Sequence, residues 1–320
     1  MRQITKTVAA MSVGLALLLP QAAVAKDTVI IGMPAWPSAE VTAHMLDILL
    51  AERFGVETEL KQRGTLTVLN EVNDGSIHIH PEVWLPNLSD AIERMGGADS
   101  NVRLSPVSVD ASQNICVTQS TANQTGIKAV ADLTDPAMAA KFDSDGDGMG
   151  EMWIGAPTWS STVVEKIRAR SYGYDQTMTL LEMPENVAMA AVDVASASES
   201  PIVFYCYAPH HVFALHEIVR LSEPPYDPDR WVLADSETDD QWLKNSRADT
   251  AWDQSKFHVG YAKSIQSGHP EIAGFLDKIS YTPDDIVAMS YAVEVERKPA
   301  EEVARTWIKD NSDRIEEWLK

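Results

Sequence analysis

A repeated strand, turn, helix punctuation constrains this chain more than any other feature. A β-branched run at residues 28–33 stops at Pro34-Ala35-Trp36-Pro37, and Ser38 then opens an amphipathic pattern over 39–54. A strand cannot run on through two prolines, and a Ser ahead of apolar residues at helical spacing caps a helix. The unit recurs as an alternating stretch at 56–62, a helical stretch at 66–72 stopped by Asn73-Asp74-Gly75, and a strand at 77–83. Such units predict an α/β fold with mostly parallel sheets, whose ligands gather outside the carboxyl ends of the strands.

A second set follows, with strands expected at 115–118, 152–156, 177–182 and 202–207 and helices at 130–142, 162–171 and 187–194. Residues 217–221 lead back towards the first set, to which a strand at 256–261 and the helical pattern over 271–320 are assigned. The expected organisation is a first lobe over 26–111, a second over 112–213, and a return segment over 214–320. The roughly 295 residues left after the leader described below exceed one typical core, which agrees with two lobes. A chain that enters a second lobe and returns makes a hinge, and a hinge suits closure around a small solute.

The first 25 residues read as a secretory leader. Arg2 and Lys6 precede an apolar run at 8–19, then Pro20 and Ala23-Val24-Ala25, with cleavage expected before Lys26. The run is shorter than the roughly 20 apolar residues a membrane span needs. No Cys stands at the cleavage point to accept a lipid. The expectation is a monomer diffusing in a periplasm. Losing Arg2 and Lys6 takes the formal charge from −21 to −23, a surface that repels nucleic acid and anionic lipid. Cys116 and Cys206 each lie in an apolar run. In an oxidising compartment they pair or remain two buried thiols, and sequence leaves both open.

The chemistry concentrates at strand-to-loop transitions. Trp36 follows the first strand, Trp84 ends the next, Trp159 follows Gly155-Ala156-Pro157-Thr158, and Tyr205 and Tyr207 end the strand before Ala208-Pro209. Trp36 and Trp84 fall in the first lobe and Trp159 and Tyr207 in the second. One such ring is ordinarily packing, but four at equivalent strand ends of both lobes point to a cage. Ring faces are negative at the centre and solvate a cation carrying methyl groups in place of N–H donors, at about 0.5–2 kcal/mol per ring. No carboxylate is required for that. Ser160-Ser161-Thr162 opens a helix directly after Trp159, so Ser160 and Ser161 are expected to receive the anionic end of a zwitterion.

Three stretches carry a family resemblance: Trp84-Leu85-Pro86; residues 142–148 leading to Gly155-Ala156-Pro157-Thr158-Trp159; and Val203-Phe204-Tyr205-Cys206-Tyr207-Ala208-Pro209-His210. In this order and spacing they resemble the glycine betaine and proline betaine binding proteins of ABC uptake systems. The resemblance implies a two-lobed periplasmic binding protein fold, a membrane permease as partner, and no catalysis. It puts Trp84, Trp159 and Tyr207 on cage positions and Trp36 on an additional wall. Tyr207 stands where many relatives have Trp. A His that follows the Trp84 position in some relatives is absent, leaving Asn87 and Ser89 as the nearby polar residues. Glycine betaine or a near relative is the expected ligand, with trimethylamine N-oxide, choline, carnitine and dimethylsulfoniopropionate as alternatives. A receptor-coupled sensor would share the same cleft.

Two other patterns compete. Asp143, Asp145 and Asp147 followed by Gly148 match the first half of a calcium loop, with Glu151 as a further ligand. Ile154 at the twelfth position excludes an EF-hand, so a structural Ca²⁺ and a plain solvated turn both remain open, and no cofactor is required. His78 and His80 share a strand face and His210-His211 follow the second aromatic strand, which makes a zinc site or metallohydrolase the rival from another class. Neither an HExxH helix nor a paired Cys ligand accompanies them.

Overall fold

A computed structural model describes residues 28–320, so the expected leader lies outside the described residues. Eleven strands run in chain order as β1 (Val29–Met33), β2 (Thr58–Gln62), β3 (Ile79–Leu85), β4 (Val102–Thr118), β5 (Gly150–Gly155), β6 (Met178–Glu182), β7 (Val203–Ala208), β8 (Ile218–Arg220), β9 (Trp231–Val232), β10 (Arg247–Ala248) and β11 (Ser255–Ala262). Nine of them form one sheet in the order β2-β1-β3-β11-β4-β7-β5-β6, with β8 also on β4. At one end β1 pairs in parallel with β2 and β3, and at the other β5 pairs in parallel with β6 and β7. The strands between them are antiparallel. Each half is thus a parallel α/β unit, and the long β4 joins them.

The register of β4 shows how the chain passes from one half to the other. Residues up to Ala111 pair with β11, whereas Ser112 onward pairs with β7 and then β8. Cys116 of β4 and Cys206 of β7 lie diagonally, with Phe204 and Asn114 as their direct register partners, and form a disulfide with their Cα atoms 5.8 Å apart. This answers the question the sequence left open.

Two expectations need correction. The return to the first half does not begin at residue 214. β8 still pairs with Cys116, Val117 and Thr118 of β4, and residues 223–252 stay bound to helix Ser160–Tyr172, so the chain rejoins the first half only at β11. The anchor is Arg168, wholly buried on that helix, which bonds Glu165 at 3.0 Å, Glu223 and the Thr250 carbonyl. The Trp252 indole donates to Glu165 at 2.8 Å. The expected helix over 130–142 is instead a string of short turns, Val130–Thr134, Pro136–Ala139 and Ala140–Phe142. Pro136 has no N–H to continue a helix and starts a new turn behind the Asp135 cap.

Helix Pro37–Leu49 follows β1 with Pro at its first turn, where a missing N–H costs nothing. The C-terminal helices Pro283–Glu294 and Ala300–Asp310 pack on it, which places the end of the chain with the first half. At β5, Gly155 takes φ +125, and a Cβ there would meet Thr162 Oγ1 at 2.3 Å. A glycine therefore lets helix Ser160–Tyr172 begin hard against the strand end, with Trp159 as its N-cap residue. No helix among the described residues is long and apolar enough to cross a membrane.

Candidate functional site

The carboxyl ends of β1, β3, β5 and β7 converge on one tight, largely apolar cavity, the usual setting of a small-molecule site. Trp36, Trp84, Asn87, Trp159, Ser160, Ser161, Tyr205 and Tyr207, all expected from sequence, line it together. Their convergence follows from the sheet, because each lies at or just beyond a strand end on the same edge. The prolines after both aromatic strands, Pro86 and Pro209, stand in cis peptides.

Four rings make a box. Trp36 meets Trp159 edge-on at 6.0 Å and 85°, Trp159 meets Tyr207 at 5.8 Å and 83°, and Trp84 meets Tyr207 at 5.5 Å and 86°. Near-perpendicular neighbours present faces and edges to a common centre, as a cation cage requires. A second row supports them: Phe257 stacks on Trp84 at 5.1 Å, and Trp153 meets Trp159 at 5.7 Å. The cleft is closed in this structure. The Trp159 indole donates to the Ala35 carbonyl at 3.0 Å, and Thr65 N–H donates to the Thr158 carbonyl at 3.1 Å, both across the two halves.

The helix start expected to face an anion is partly engaged. Ser160 N–H donates to Thr65 Oγ1 at 2.8 Å, so one of its donors serves the contact between halves. Asn87 and Gln113 exchange amide hydrogen bonds at 2.8 and 2.9 Å, and the Tyr205 hydroxyl donates to Gln113 at 2.7 Å. Apart from Glu82 the lining polar groups are neutral, and the lining holds no Lys, Arg or His.

Sequence reasoning missed Glu82. It is fully buried, and its Oε2 accepts from the Trp36 indole at 2.8 Å, the Trp84 indole at 3.3 Å and the Ser38 hydroxyl at 3.2 Å. One carboxylate therefore orients both first-half tryptophans. Burial pushes its carboxyl up to about 7, against the pull of those hydrogen bonds. The second half repeats the device. Glu185 accepts from the Tyr207 hydroxyl at 2.6 Å and lies 2.9 Å from His210 Nε2. Burial pushes Glu185 up to about 8 and His210 down to about 3. Glu82 had a usable signal: it stands two residues before Trp84 on a strand and so shares its face. Thr65, Leu88 and Gln113 also line the cavity and were not anticipated.

The rival histidine site does not form. His78 Nδ1 accepts from Ile30 N–H at 2.9 Å, His80 is wholly buried with Nδ1 accepting from Glu82 N–H at 3.3 Å, and the His210 and His211 rings meet at 4.1 Å, tilted by 37°, in the other half. Among the described residues the one converging set of three or more metal-binding groups is the acidic loop. Asp143, Asp145, Asp147 and Glu151 bring carboxylate oxygens within 4.8 Å of one another. Gly146 and Gly148 donate backbone N–H groups to Asp143, which lowers its carboxyl below the usual range.

Comparison with known proteins gives the family and the fold. A family model described as the substrate binding domain of ABC-type glycine betaine transport systems matches residues 27–310. The chain belongs to this family. Glycine betaine/proline betaine-binding periplasmic proteins of Salmonella typhimurium and Escherichia coli are 26% and 28% identical over 129 and 131 residues, and the chain spans about 39% of the length of these curated relatives and 40% of its own. Among solved structures, a choline binding protein in complex with choline superposes with a TM-score of 0.72 at 19% identity, covering 91% of both chains. A lactococcal OpuAC complexed with glycine betaine gives 0.68 at 20%, covering 92% of this chain and 99% of that one. These likenesses establish the two-lobed binding-protein fold.

Proposed function

We propose that the protein is the exported solute-binding component of an ABC importer, working in the periplasm and passing glycine betaine or a close methylated-ammonium relative to a membrane permease. The observation that carries this reading is the box of Trp36, Trp84, Trp159 and Tyr207, two rings from each half, at the closed mouth of the sheet. A trimethylammonium group loses no hydrogen bonds on entering it, whereas a primary amine does, so the box selects by penalising the competitor. Asn87 and Ser161 offer neutral donors to the second pole of the ligand. A choline-type ligand is the second reading, favoured by the presence of Glu82 and the lack of a basic residue in the lining.

Competition calorimetry with glycine betaine, choline, carnitine, trimethylamine N-oxide and dimethylsulfoniopropionate tests both. Glycine betaine binding 1:1 and more tightly than choline supports the first; the reverse order supports the second. Saturable Zn²⁺ binding with no response to any of these solutes overturns the transport reading. For the acidic loop we propose a structural Ca²⁺ held by Asp143, Asp145, Asp147 and Glu151, on the strength of their convergence and of a buried Glu151 Oε1 that meets no donor.

A further inference from the structure

Both halves hold their cage rings by a buried carboxylate, and one of these carboxylates lines the cavity itself. Glu82 makes no ion pair among the described residues, so its charge has no protein partner at the heart of the site. Indole N–H groups only donate, and two of them converge with Ser38 on Oε2, so that oxygen must stay unprotonated. Oε1 is different. Its partner Thr42 Oγ1 lies 3.3 Å away and also stands 3.2 Å from the Ala39 carbonyl. If Thr42 donates to Oε1, the carboxylate is ionised. If Thr42 donates to Ala39, its lone pairs accept a proton carried on Oε1. The same heavy-atom arrangement serves both forms.

We infer that Glu82 is the proton-linked counter-charge of the cage: it is ionised when a methylated ammonium occupies the box and takes up a proton on Oε1 when the box is empty. This rests on the proposed function above. Solute binding then releases a proton, and the site discriminates by the positive charge of the ligand as well as by its shape.

The surroundings fit such an exchange. On its own strand Glu82 faces His80, which burial holds neutral, its pKa pushed down to about 3. From the helix packed against it come the hydroxyls of Ser38 and Thr42, while Glu40 of the same helix has Glu294 and Glu185 as its charged neighbours and is pushed up to about 6 mainly by burial. From the other half come Tyr207 and, behind it, Glu185; from the C-terminal segment comes Tyr281. None of these supplies a positive charge near neutral pH, and burial has already brought Glu82 to about 7. A cation in the box is the missing partner, and it lowers the carboxyl below that value. By linkage, affinity climbs as pH rises towards about 7, by at most about tenfold per pH unit for one proton released, and levels off above it.

The experiment is isothermal calorimetry of the wild type and Glu82→Gln with glycine betaine and with choline, from pH 5.5 to 8.5 and in buffers of differing ionisation enthalpy. The neutral isostere of choline, 3,3-dimethylbutan-1-ol, serves as the uncharged control. Glutamine keeps an oxygen for the two indoles and an amide for Thr42, so a purely structural role predicts little change. The inference predicts proton release by the wild type that vanishes in Glu82→Gln, and a pH slope for choline that the isostere lacks. A parallel Glu185→Gln variant should retain the proton release. Tight binding of either ammonium with no proton release, or release that persists in Glu82→Gln and disappears in Glu185→Gln, overturns the inference while leaving the proposed function standing. Failure of every ammonium to bind the wild type instead overturns the function it rests on.

Discussion

Replacing Trp159 with Ala should weaken solute binding by about 30- to 300-fold. Trp159 is 5% exposed, forms one wall of the box, and sends its indole N–H to Ala35 of the opposite half. A desolvated ring facing a cation contributes about 1.5–2 kcal/mol. The hydrogen bond between halves adds about 0.5–1.5 kcal/mol, and only in the closed cleft. Together they amount to about 2–3.5 kcal/mol, and about 1.4 kcal/mol is tenfold in affinity. Removing a buried indole also costs the fold about 3–5 kcal/mol, so calorimetry belongs well below the melting temperature, with circular dichroism as a check on folding. Trp159→Phe separates the two contributions. It keeps a ring face and loses only the N–H, so it should cost about 1 kcal/mol, roughly fivefold. A folded Trp159→Ala protein that binds glycine betaine and choline as the wild type does would refute the cage. Equal losses for Phe and Ala would refute the assignment of most of the energy to the ring.

Tyr207→Phe keeps the ring face, so affinity should fall less than for Trp159→Ala, while the melting temperature falls because buried Glu185 loses its shortest donor; differential scanning fluorimetry with and without solute reads both. Millimolar Ca²⁺ should raise the melting temperature and chelator reverse it, with ligand ranking unchanged, and a curve indifferent to both returns the acidic loop to a plain turn. Glu185 is raised from 4.5 to about 8 in the folded protein, so its neutral form contributes stability that is complete below about pH 4.5 and is lost as pH rises through 8. The melting temperature of the solute-free protein should therefore decline over that window, and Glu185→Gln should flatten the decline.

The aromatic box was legible because each ring stands beside a local signal that survives in one dimension: Trp36 between Pro34 and Pro37, Trp84 before Pro86, Trp159 after Pro157, Tyr207 before Pro209. Strand ends declare themselves through proline, and in an α/β sheet strand ends share an edge. What stayed hidden depends on partners far away in sequence. The 17-residue β4 begins well ahead of the strand expected at 115–118 and runs on through Pro106; it is one strand because β11 and β7 pair with it on successive stretches. Residues 223–252 carry no signal that they belong with the second half, since that rests on one buried Arg168 holding Glu165 and Glu223. Glu82 escaped notice for a related reason. A carboxylate in a strand reads as a solvent-facing position, and only the two indoles and two hydroxyls around it make its burial tolerable.

The division of the box between two halves bears on how the cleft switches. Moving a two-state protein from mostly open to mostly closed, from 1:99 to 99:1, takes about 5.5 kcal/mol of differential binding. Four rings at about 0.5–2 kcal/mol each supply about 2–8 kcal/mol, whereas the pair from either half alone supplies about 1–4. Neither half can throw the switch alone, and a ligand that touches one half cannot distinguish closed from open. Other contacts across the cleft include Thr65 with Thr158 and Ser160 and, on the surface, Arg94 with Asp235 at 3.4 Å and Asn70 with Glu237 at 3.4 Å. Pairs of the last kind are worth about 0–1 kcal/mol each, enough to orient a closed state and too little to hold it shut. Reopening therefore needs only the loss of the contacts between the rings and the solute, which require the solute and both halves together.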